Sequence, residues 1–310
     1  MITIFSIPKA FNGHINIIQR NAIKSWTSLC PRCQVVLCGD DSGTEEVAKE
    51  FDVKCIPDIA RNEFGTPLLS SAFERIREVA ANNLLCYVNS DIIFMSDFIL
   101  AIRRIKTDQF LLFGNRWNID INEEIDFNDN NWETKIKEYI KLKGSLQPPI
   151  GADYFVFKKN EALSDIPPFA VGRPLWDNWF IYNARKNKYK VIDASKAILA
   201  LHQNHGYGHL QSDYCTKKGK SIWECPEGPE VDRQKEIMNG QEKFFSLSDA
   251  THILTENRLK RAIDYQHLRR QFNTLSVFYP HLKPLIKYVE EKIMPFLRKY
   301  KIKLFADRKR

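Results

Sequence analysis

The chain has 310 residues, of which 44% are hydrophobic and 12% aromatic, enough for one sizeable core with a smaller appended unit. Charged residues make up 27%, and 13 Gly and 14 Pro are ordinary numbers, so the composition excludes a disordered or fibrous protein. The net charge of +8 is uneven, because the last thirty residues hold ten Lys or Arg and three acidic residues. The body of the chain is nearly neutral, which argues against nucleic acid as its partner.

Several features bear on the compartment. No apolar run approaches the roughly 18–20 residues that span a bilayer, and the start of the chain breaks at Pro8, too early for a signal peptide. Seven cysteines without an export signal indicate reduced thiols. Cys30 and Cys33 have CxxC spacing, but no second CxxC accompanies them, and we interpret the spacing as incidental. We therefore expect a cytoplasmic protein.

The first 95 residues alternate between strand and helix patterns. The predicted strands are 2–7, 34–38, 53–56 and 84–94, and the predicted helices are 14–29, 44–51 and 66–81. Such an alternation is typical of a parallel sheet with helices on both faces.

The pattern is less regular after Asp97. Strands are predicted at 110–113, 154–158, 189–192 and 197–201, and helices at 99–105, 132–142 and 176–188. Residues 115–131 read as a polar, acidic loop and 202–214 as a loop rich in Gly and His. From 247 the composition turns helical, and 246–270 is predicted as a capped helix or a helix pair.

Polar residues follow three of the predicted strands, and they are Pro8-Lys9, Asp40-Asp41 and Asn89-Ser90-Asp91. In parallel α/β sheets, ligands bind outside the carboxyl ends of the strands. Asp40 and Asp41 suit hydrogen bonds to a base or ribose; the alternative is a turn in which Asp41 or Ser42 caps the next helix.

Asp91 interrupts an apolar run, LLCYVNSDIIFM. Asn89 lies two residues earlier and therefore on the same strand face. Oxygen ligands are those that Mg²⁺ and Mn²⁺ prefer. The alternative is a helix cap, but Asp97 already takes the cap position of the next predicted helix, which leaves Asp91 available for a cation.

Asp177 lies between Trp176 and Trp179 at a predicted helix start. Aromatic surface raises a carboxyl pKa by desolvation, which suits a general base, and aromatic faces also stack on sugar rings. The alternative places the tryptophans in the core, with Asp177 favourable to the helix dipole.

Three histidines, His202, His205 and His209, occur in HQNHGYGH. Their spacing lacks the helical pattern and nearby cysteine that would support a zinc site. His202 ends an apolar strand and is the better single metal ligand. His205 and His209 are expected to serve loop structure or substrate contacts.

Six short motifs in order resemble the GT-A glycosyltransferase fold, and they are NEFGTPLLSSAF, YVNSDI, FGNRW, GADYFVF, LWDNW and HQNHGYGH. They also look like a group of uncharacterised bacterial and plant proteins of this type, and the resemblance covers about residues 1–255. The resemblance implies a Rossmann-like, mostly parallel sheet flanked by helices. It also implies a domain 1–245, with a nucleotide-binding half 1–95 and an acceptor half 96–245, and a helical, basic extension 246–310.

The resemblance also implies roles for individual residues. Asp91 and His202 would hold Mn²⁺ or Mg²⁺, and Asp177 would be the catalytic base of an inverting transfer. The nucleotide of a UDP- or GDP-type sugar would contact Asp40, Asp41, Asn89 and Ser90. Sugar or acceptor contacts would come from Gly151, Ala152, Asp153, Arg173, Trp176 and Asn178. Asn89 stands where the family has the first acid of Asp-any-Asp, so weaker metal binding is expected.

The acceptor is expected to be a saccharide or a lipid-linked sugar. Residues 285–304 interleave apolar residues with Lys and Arg, which is typical of a membrane-surface element at the inner face of a membrane; the alternative is the solvated face of a docked helix. Two other functions stay open. One is a catalytically silent nucleotide- or sugar-binding protein. The other is a sugar nucleotidyltransferase, which would want a Gly-rich loop where SIPKAF stands.

Overall fold

The computed structural model describes residues 1–159, 163, 165–206, 228–238, 245–293 and 295. These residues belong to two compact units, Met1–Ala262 and Ile263–Arg310. The division therefore falls later than the expected boundary between residues 245 and 246.

The first unit is built on a nine-stranded sheet and a four-stranded sheet. The strands are β1 (Ile2–Ser6), β2 (Gln34–Cys38), β3 (Lys54–Ile56), β4 (Leu84–Val88), β5 (Ile92–Ile93), β6 (Phe110–Phe113), β7 (Arg116–Ile119), β8 (Ser145–Leu146), β9 (Tyr154–Lys158), β10 (Lys190–Lys196), β11 (Ala200–Gln203), β12 (His252–Thr255) and β13 (Leu259–Arg261). The large sheet has the order β13-β12-β10-β6-β9-β4-β1-β2-β3, and only β9 and β13 run against the others within it. The small sheet has the order β5-β11-β7-β8. The expected mostly parallel α/β architecture is confirmed.

Helices connect and cover the strands. Those described in the first unit are α1 (Gly13–Thr27), α2 (Thr44–Glu50), α3 (Leu69–Val79), α4 (Ser96–Ile102), α5 (Trp132–Lys143), α6 (Trp176–Lys186) and α7 (Pro229–Ile237). A short 3-10 turn spans Leu247–Asp249.

Two different side-chain layers form the core, because successive residues of a strand point to opposite faces of the sheet. On one face, Ile2 and Ile4 pack in a cluster with Ile23 and Trp26 of α1. On the other face, Phe5 packs edge-on against Phe73 of α3, with ring centroids 5.0 Å apart. Both faces of the parallel strands are therefore buried, which explains why their sequences are continuous apolar runs.

The predicted strand 84–94 is wrong in one respect, because it is divided between the two sheets. β4 ends at Val88 in the large sheet, and β5 begins at Ile92 in the small one. The polar residues between them lie in the turn that carries the chain from one sheet to the other. The apolar run continues across this turn because both strands are buried.

Two further predictions are wrong. The segment 115–131 is not all loop, since β7 pairs in parallel with β11. The helical prediction for 246–270 fails over its first part, where β12 and β13 form a hairpin. β12 pairs with β10, so an available sheet edge overrides the local preference of this segment.

The second unit begins with α8 (Tyr265–Phe278), whose N-cap Asp264 accepts a hydrogen bond from the His267 backbone at 3.2 Å. A 3-10 turn (Pro280–Leu282), α9 (Lys283–Tyr288) and a π-helical turn (Val289–Ile293) follow. Half of the predicted membrane-surface segment 285–304, residue 294 and residues 296–304, lies outside the described residues. Among the helices described here, none combines the length and apolar character that a bilayer crossing requires.

Candidate functional site

The candidate site lies at the carboxyl edge of the parallel strands. β1, β2 and β4 are parallel neighbours, so the residues that follow them lie at one edge. β9 is antiparallel to β4 and pairs Tyr154 with Val88, so its first residues reach the same edge. There the backbone N–H of Asn89 donates to the carbonyl of Asp153 at 2.8 Å. The chain thus brings the 89–91 turn and the 151–153 segment together.

Asp91, His202 and His205 form a compact cluster at this edge. One ligand atom from each lies within 4.8 Å of the others. Asp91 Oδ2 is 3.4 Å from His202 Nε2 and 3.0 Å from His205 Nε2. The side chains of the two histidines retain 2% and 4% of their accessible surface, and that of Asp91 retains 16%. This geometry is suited to a cation held by one carboxylate and two imidazoles.

Strand pairing explains the cluster. β11 runs antiparallel to β5 and pairs His202 with Ile92, which places the imidazole beside Asp91. The side chain of Gln203, fully buried, donates to the Asp91 carbonyl at 3.2 Å and accepts from Asn21 of α1 at 3.0 Å. These buried hydrogen bonds fix the backbone of Asp91.

Helix α1 holds the rest of the turn. Trp26 Nε1 donates to the Ile92 carbonyl at 2.9 Å, and Ser25 Oγ accepts from the Phe94 N–H at 3.2 Å. Gln19 Oε1 accepts from Ser90 Oγ at 2.9 Å. Such support by buried neighbours orients metal-binding side chains in other proteins.

The residues fit a divalent cation. Asp91 Oδ1 is buried and has no hydrogen-bond partner among the described residues, so it has an unused lone pair where a cation would lie. Burial by itself raises the pKa of Asp91, but its contacts with His202 and His205 hold that pKa well below the usual range. The carboxylate is therefore ionised, as a metal ligand must be. Two imidazoles favour Mn²⁺ over Mg²⁺, which prefers an all-oxygen site.

His205 lies closer to Asp91 than the sequence predicts. It was expected to serve loop structure or substrate contacts, but its Nε2 approaches Asp91 more closely than that of His202. The three-residue spacing of the histidines was the available signal, and it was discounted for lack of a helix. His202 lies in β11 and His205 follows two residues after its end, and both rings reach Asp91. The third histidine of the motif, His209, lies outside the described residues.

Asp177 lies in the first turn of α6, as predicted. Its Oδ2 accepts from the Ala152 N–H at 3.3 Å. Burial raises the pKa of Asp177 to about 6, with a further upward contribution from Asp153, while backbone N–H groups oppose the shift. A Cβ at Gly151 would lie 3.5 Å from Asp177 Oδ2, so the glycine leaves one side of the carboxyl group uncovered. A carboxyl group with this pKa suits proton transfer near neutral pH.

The side chains of Asn89 and Asp153 are hydrogen-bonded to each other. Asn89 Nδ2 donates to Asp153 Oδ1 at 2.8 Å, and Arg116 Nη1 donates to the same oxygen at 2.5 Å. The side chains of Arg116 and Asp153 retain only 12% and 13% of their accessible surface. Asp153, expected to bind sugar hydroxyls, is thus held in an ion pair, and Asn89 uses its amide nitrogen, which is not the atom that coordinates a cation, for this contact.

Asp40 and Asp41 both contact the guanidinium group of Arg61. Arg61 Nη2 donates to Asp40 Oδ1 at 2.5 Å and to Asp41 Oδ2 at 3.1 Å. The alternative of a helix cap fails, because α2 begins after Gly43, in the left-handed conformation at φ 88°, without a side-chain cap. A nucleoside contact by Asp40 or Asp41 stays a prediction, and Arg61 would have to accommodate it.

The cap assigned to Asp97 is also wrong. α4 begins after Met95 without a side-chain cap, and Asp97 Oδ2 accepts from the Leu199 N–H at 2.8 Å. Burial raises the pKa of Asp97 to about 6.

The predicted sugar contacts of the 173–178 segment have internal partners instead. Trp176 is 6% exposed and packs edge-on against Tyr87, with ring centroids 5.1 Å apart. Asn178 is buried and donates to the Phe245 carbonyl at 2.6 Å. Arg173 pairs with Glu230. Trp176 and Asn178 therefore belong to the core, which was the stated alternative for the tryptophan.

Lys9 is a cation at the edge that the sequence prediction did not assign. Its backbone N–H and carbonyl are both bonded to the side chain of Gln19, at 2.7 and 2.8 Å. Surrounding protein lowers the pKa of Lys9, Asp91 opposes that shift and Arg173 adds to it. The ammonium group of the exposed Lys9 thus interacts electrostatically with Asp91 of the candidate metal site.

No protein-family model and no curated protein sequence matches the chain. Solved structures are similar at low identity. GalNAc-T7 with UDP, GalNAc and Mn²⁺ aligns at 11% identity and TM-score 0.48, over 77% of this chain and 48% of that one. The mannosyltransferase PcManGT from Pyrobaculum calidifontis with GDP-Man and Mn²⁺ aligns at 12% and 0.41, over 67% and 58%. The 4-diphosphocytidyl-2C-methyl-D-erythritolsynthase from Anaerococcus prevotii aligns at 11% and 0.38, over 62% and 86%.

The chain thus spans about half the length of GalNAc-T7 and less than two thirds of the mannosyltransferase. Among these structures are a mannosyltransferase and also a 4-diphosphocytidyl-2C-methyl-D-erythritolsynthase. Identities of 11–12% leave the function to be argued from the side chains of this chain.

Proposed function

We propose that this protein is a GT-A-type glycosyltransferase that moves a sugar from a nucleoside-diphosphate sugar to a hydroxyl group of a saccharide or lipid-linked acceptor. The observation that carries the proposal is the Asp91–His202–His205 cluster at the same sheet edge as an Asp177 carboxyl group that contacts the 151–153 segment and whose pKa is raised to about 6. Both sit at the carboxyl edge of a mostly parallel sheet, where α/β proteins bind ligands. A metal site for diphosphate next to a base is the combination that sugar transfer requires.

The proposed chemistry divides between the two parts of the site. A bound Mn²⁺ or Mg²⁺ would neutralise negative charge on the departing diphosphate. Asp177 would take the proton of the acceptor hydroxyl. As it does so, the hydroxyl oxygen would bond to the anomeric carbon and the bond from that carbon to the diphosphate would break. Gly151 lies against the Asp177 carboxyl group and leaves room for the acceptor. A base acting on the attacking hydroxyl favours inversion.

His205 weakens the case for a catalytically silent protein. The departure at Asn89 removed one expected carboxylate, but the cluster still offers three ligand atoms, because His205 supplies the third. His205, which follows β11, would therefore supply the ligand atom that the first acid of the 89–91 turn would have given.

The proposal is tested first by binding. Thermal shift with nucleoside diphosphates, with and without Mn²⁺, is expected to show metal-dependent stabilisation by one nucleotide. Asp91→Asn should abolish the metal-dependent part. The matched control Asp108→Asn, at a carboxylate whose side chain is 91% exposed, should leave it unchanged.

Turnover is tested next with the stabilising nucleotide as its sugar conjugate. Asp177→Asn should retain nucleotide binding and lose transfer by about 10²- to 10⁴-fold, the usual range for a general base. Nucleotide binding without transfer to any acceptor would favour a silent binding protein. Release of pyrophosphate from a nucleoside triphosphate and a sugar phosphate would favour a nucleotidyltransferase.

A further inference from the structure

Helix α7 contacts two loops that flank the candidate site. Glu230, in its first turn, accepts from Arg173 Nε at 2.7 Å and also from Arg173 Nη2. The other oxygen of Glu230 accepts from Asn62 Nδ2 at 2.8 Å. The Glu230 side chain retains 12% of its accessible surface, so the three side chains form a largely buried junction between distant segments.

Gln234 lies one helical turn after Glu230, on the same face of α7. It is 1% exposed. Its Oε1 accepts from the Ala170 N–H at 2.7 Å, and its Nε2 donates to the Pro174 carbonyl. Residues 170–174 are therefore bonded to α7 near both ends, and they lead directly into α6.

The backbone at the start of α6 is strained. Leu175 has φ 88°, in the left-handed region, which is unfavourable for a residue with a side chain. Its carbonyl nevertheless accepts the first hydrogen bond of α6, from Trp179 at 2.9 Å. Such a conformation persists only where the surroundings determine it. Asp177 follows two residues later, so the direction of its carboxyl group depends on this turn.

Asn62 connects α7 to the other side of the site. Its Oδ1 accepts from the backbone N–H groups of Phe64 and Thr66, at 3.0 and 2.9 Å, and orders the loop 61–67. The neighbouring Arg61 holds Asp40 and Asp41. One helix is thus bonded both to the loop that reaches the proposed nucleotide side and to the turn that presents the proposed base.

We propose that Glu230 and Gln234 are positioning residues: Gln234 sets the carboxyl group of Asp177, and Glu230 sets both that group and the donor-side loop 61–67. Neither residue touches the reacting atoms. The inference rests on the proposed transferase function, since it gives each residue a share in that reaction.

The consequence for Asp177 is a change in its solvation. In the intact turn the facing charge is Asp153, on the segment before β9, itself paired with Arg116. If Gln234 no longer holds Ala170 and Pro174, the turn relaxes and water reaches the carboxyl group. The pKa of Asp177 then falls towards its ordinary value, because desolvation is the largest cause of its elevation.

The test compares Gln234→Met and Glu230→Gln with Glu236→Gln, a control on the same helix at a side chain that is 71% exposed. Carbon-13 NMR titration of the Asp177 carboxyl group needs no activity. We expect Gln234→Met to lower the proton affinity of the Asp177 carboxyl group at least tenfold, which shifts its titration to lower pH. It should lower kcat about 10- to 100-fold, with KM for the donor within twofold. Glu230→Gln should lower kcat and also raise KM for the donor at least fivefold.

The result that overturns the inference is an Asp177 titration in Gln234→Met that matches the control. If that variant does not fold, Glu230→Gln decides alone, because it keeps the shape of the side chain and loses its charge. A titration and kcat in Glu230→Gln equal to the control would also overturn it. If the wild-type protein transfers no sugar, the proposed function fails, and the NMR titration still decides whether α7 positions Asp177.

Discussion

Replacing Asn89 by aspartate would restore the pair of acids that the metal motif of the resembling family contains. If Asn89 were simply a weaker metal ligand, Asn89→Asp would tighten the binding of Mn²⁺. The structure instead predicts that the substitution destabilises the protein, because Asn89 Nδ2 donates to Asp153 Oδ1 at 2.8 Å. The substitution would replace this donor with a carboxylate oxygen that faces another carboxylate.

The magnitude follows from that distance. Two unit charges 2.8 Å apart repel by about 6 kcal/mol at an effective dielectric constant of about 20. Arg116, which already contacts Asp153, offsets about half of the repulsion. We therefore expect Asn89→Asp to reduce the free energy of unfolding by about 2–3 kcal/mol at pH 8.

The sign of the pH dependence is fixed by the same contact. The folded protein raises the pKa of the new carboxyl pair above its unfolded value, so stability is lost as the pH rises through the folded pKa. Urea unfolding at pH 5 and pH 8 measures this, with Asn257→Asp as the control at an exposed turn residue. A variant as stable as the control at pH 8, with Mn²⁺ bound at least tenfold more tightly than in the wild type, would refute the reasoning.

Three further predictions concern single side chains. Because the pKa of Asp177 is raised to about 6, the rate of transfer should rise with pH to a plateau above about 6, and a pH–rate profile of the wild type without that rise contradicts the assignment. His205→Ala should weaken Mn²⁺ binding 10- to 100-fold by calorimetry, whereas His281→Ala, at an exposed residue, should not; equal affinities would remove His205 from the metal site. Burial also raises the pKa of Asp97 to about 6. The free energy of unfolding of the wild type should therefore fall from pH 4 to pH 6 relative to Asp97→Asn, by at most about 3 kcal/mol in urea unfolding. The same pH dependence in both proteins would contradict the raised pKa.

The alternation of strands and helices could be predicted because its signals are local. Continuous apolar runs mark strands that are buried on both faces, and the polar residues after them mark the carboxyl edge. Asp91 and Asp177 were found from their neighbours in sequence, a carboxylate within an apolar run and a carboxylate between tryptophans.

Long-range pairing is what the sequence could not supply. The division of 84–94 into β4 and β5 depends on β11, and the hairpin of β12 and β13 depends on the edge offered by β10. The position of His205 could not be predicted for the same reason, since its ring reaches Asp91 only once β11 lies beside β5.

The ion pairs of the site show the same limit and explain which acids are available for chemistry. Five acids were predicted in the site, and arginines from distant segments pair with Asp40, Asp41 and Asp153. An arginine keeps its partner ionised and fixed in direction, which suits a structural role. Among the described residues, Asp91 contacts imidazoles and Asp177 contacts backbone N–H groups, and neither is paired with an arginine. Imidazole can give up its proton to admit a metal, and a carboxyl group held by backbone N–H groups can take up a proton. The two acids without arginine are therefore the ones whose contacts can change during a reaction, which is why we propose the metal for one and the proton transfer for the other.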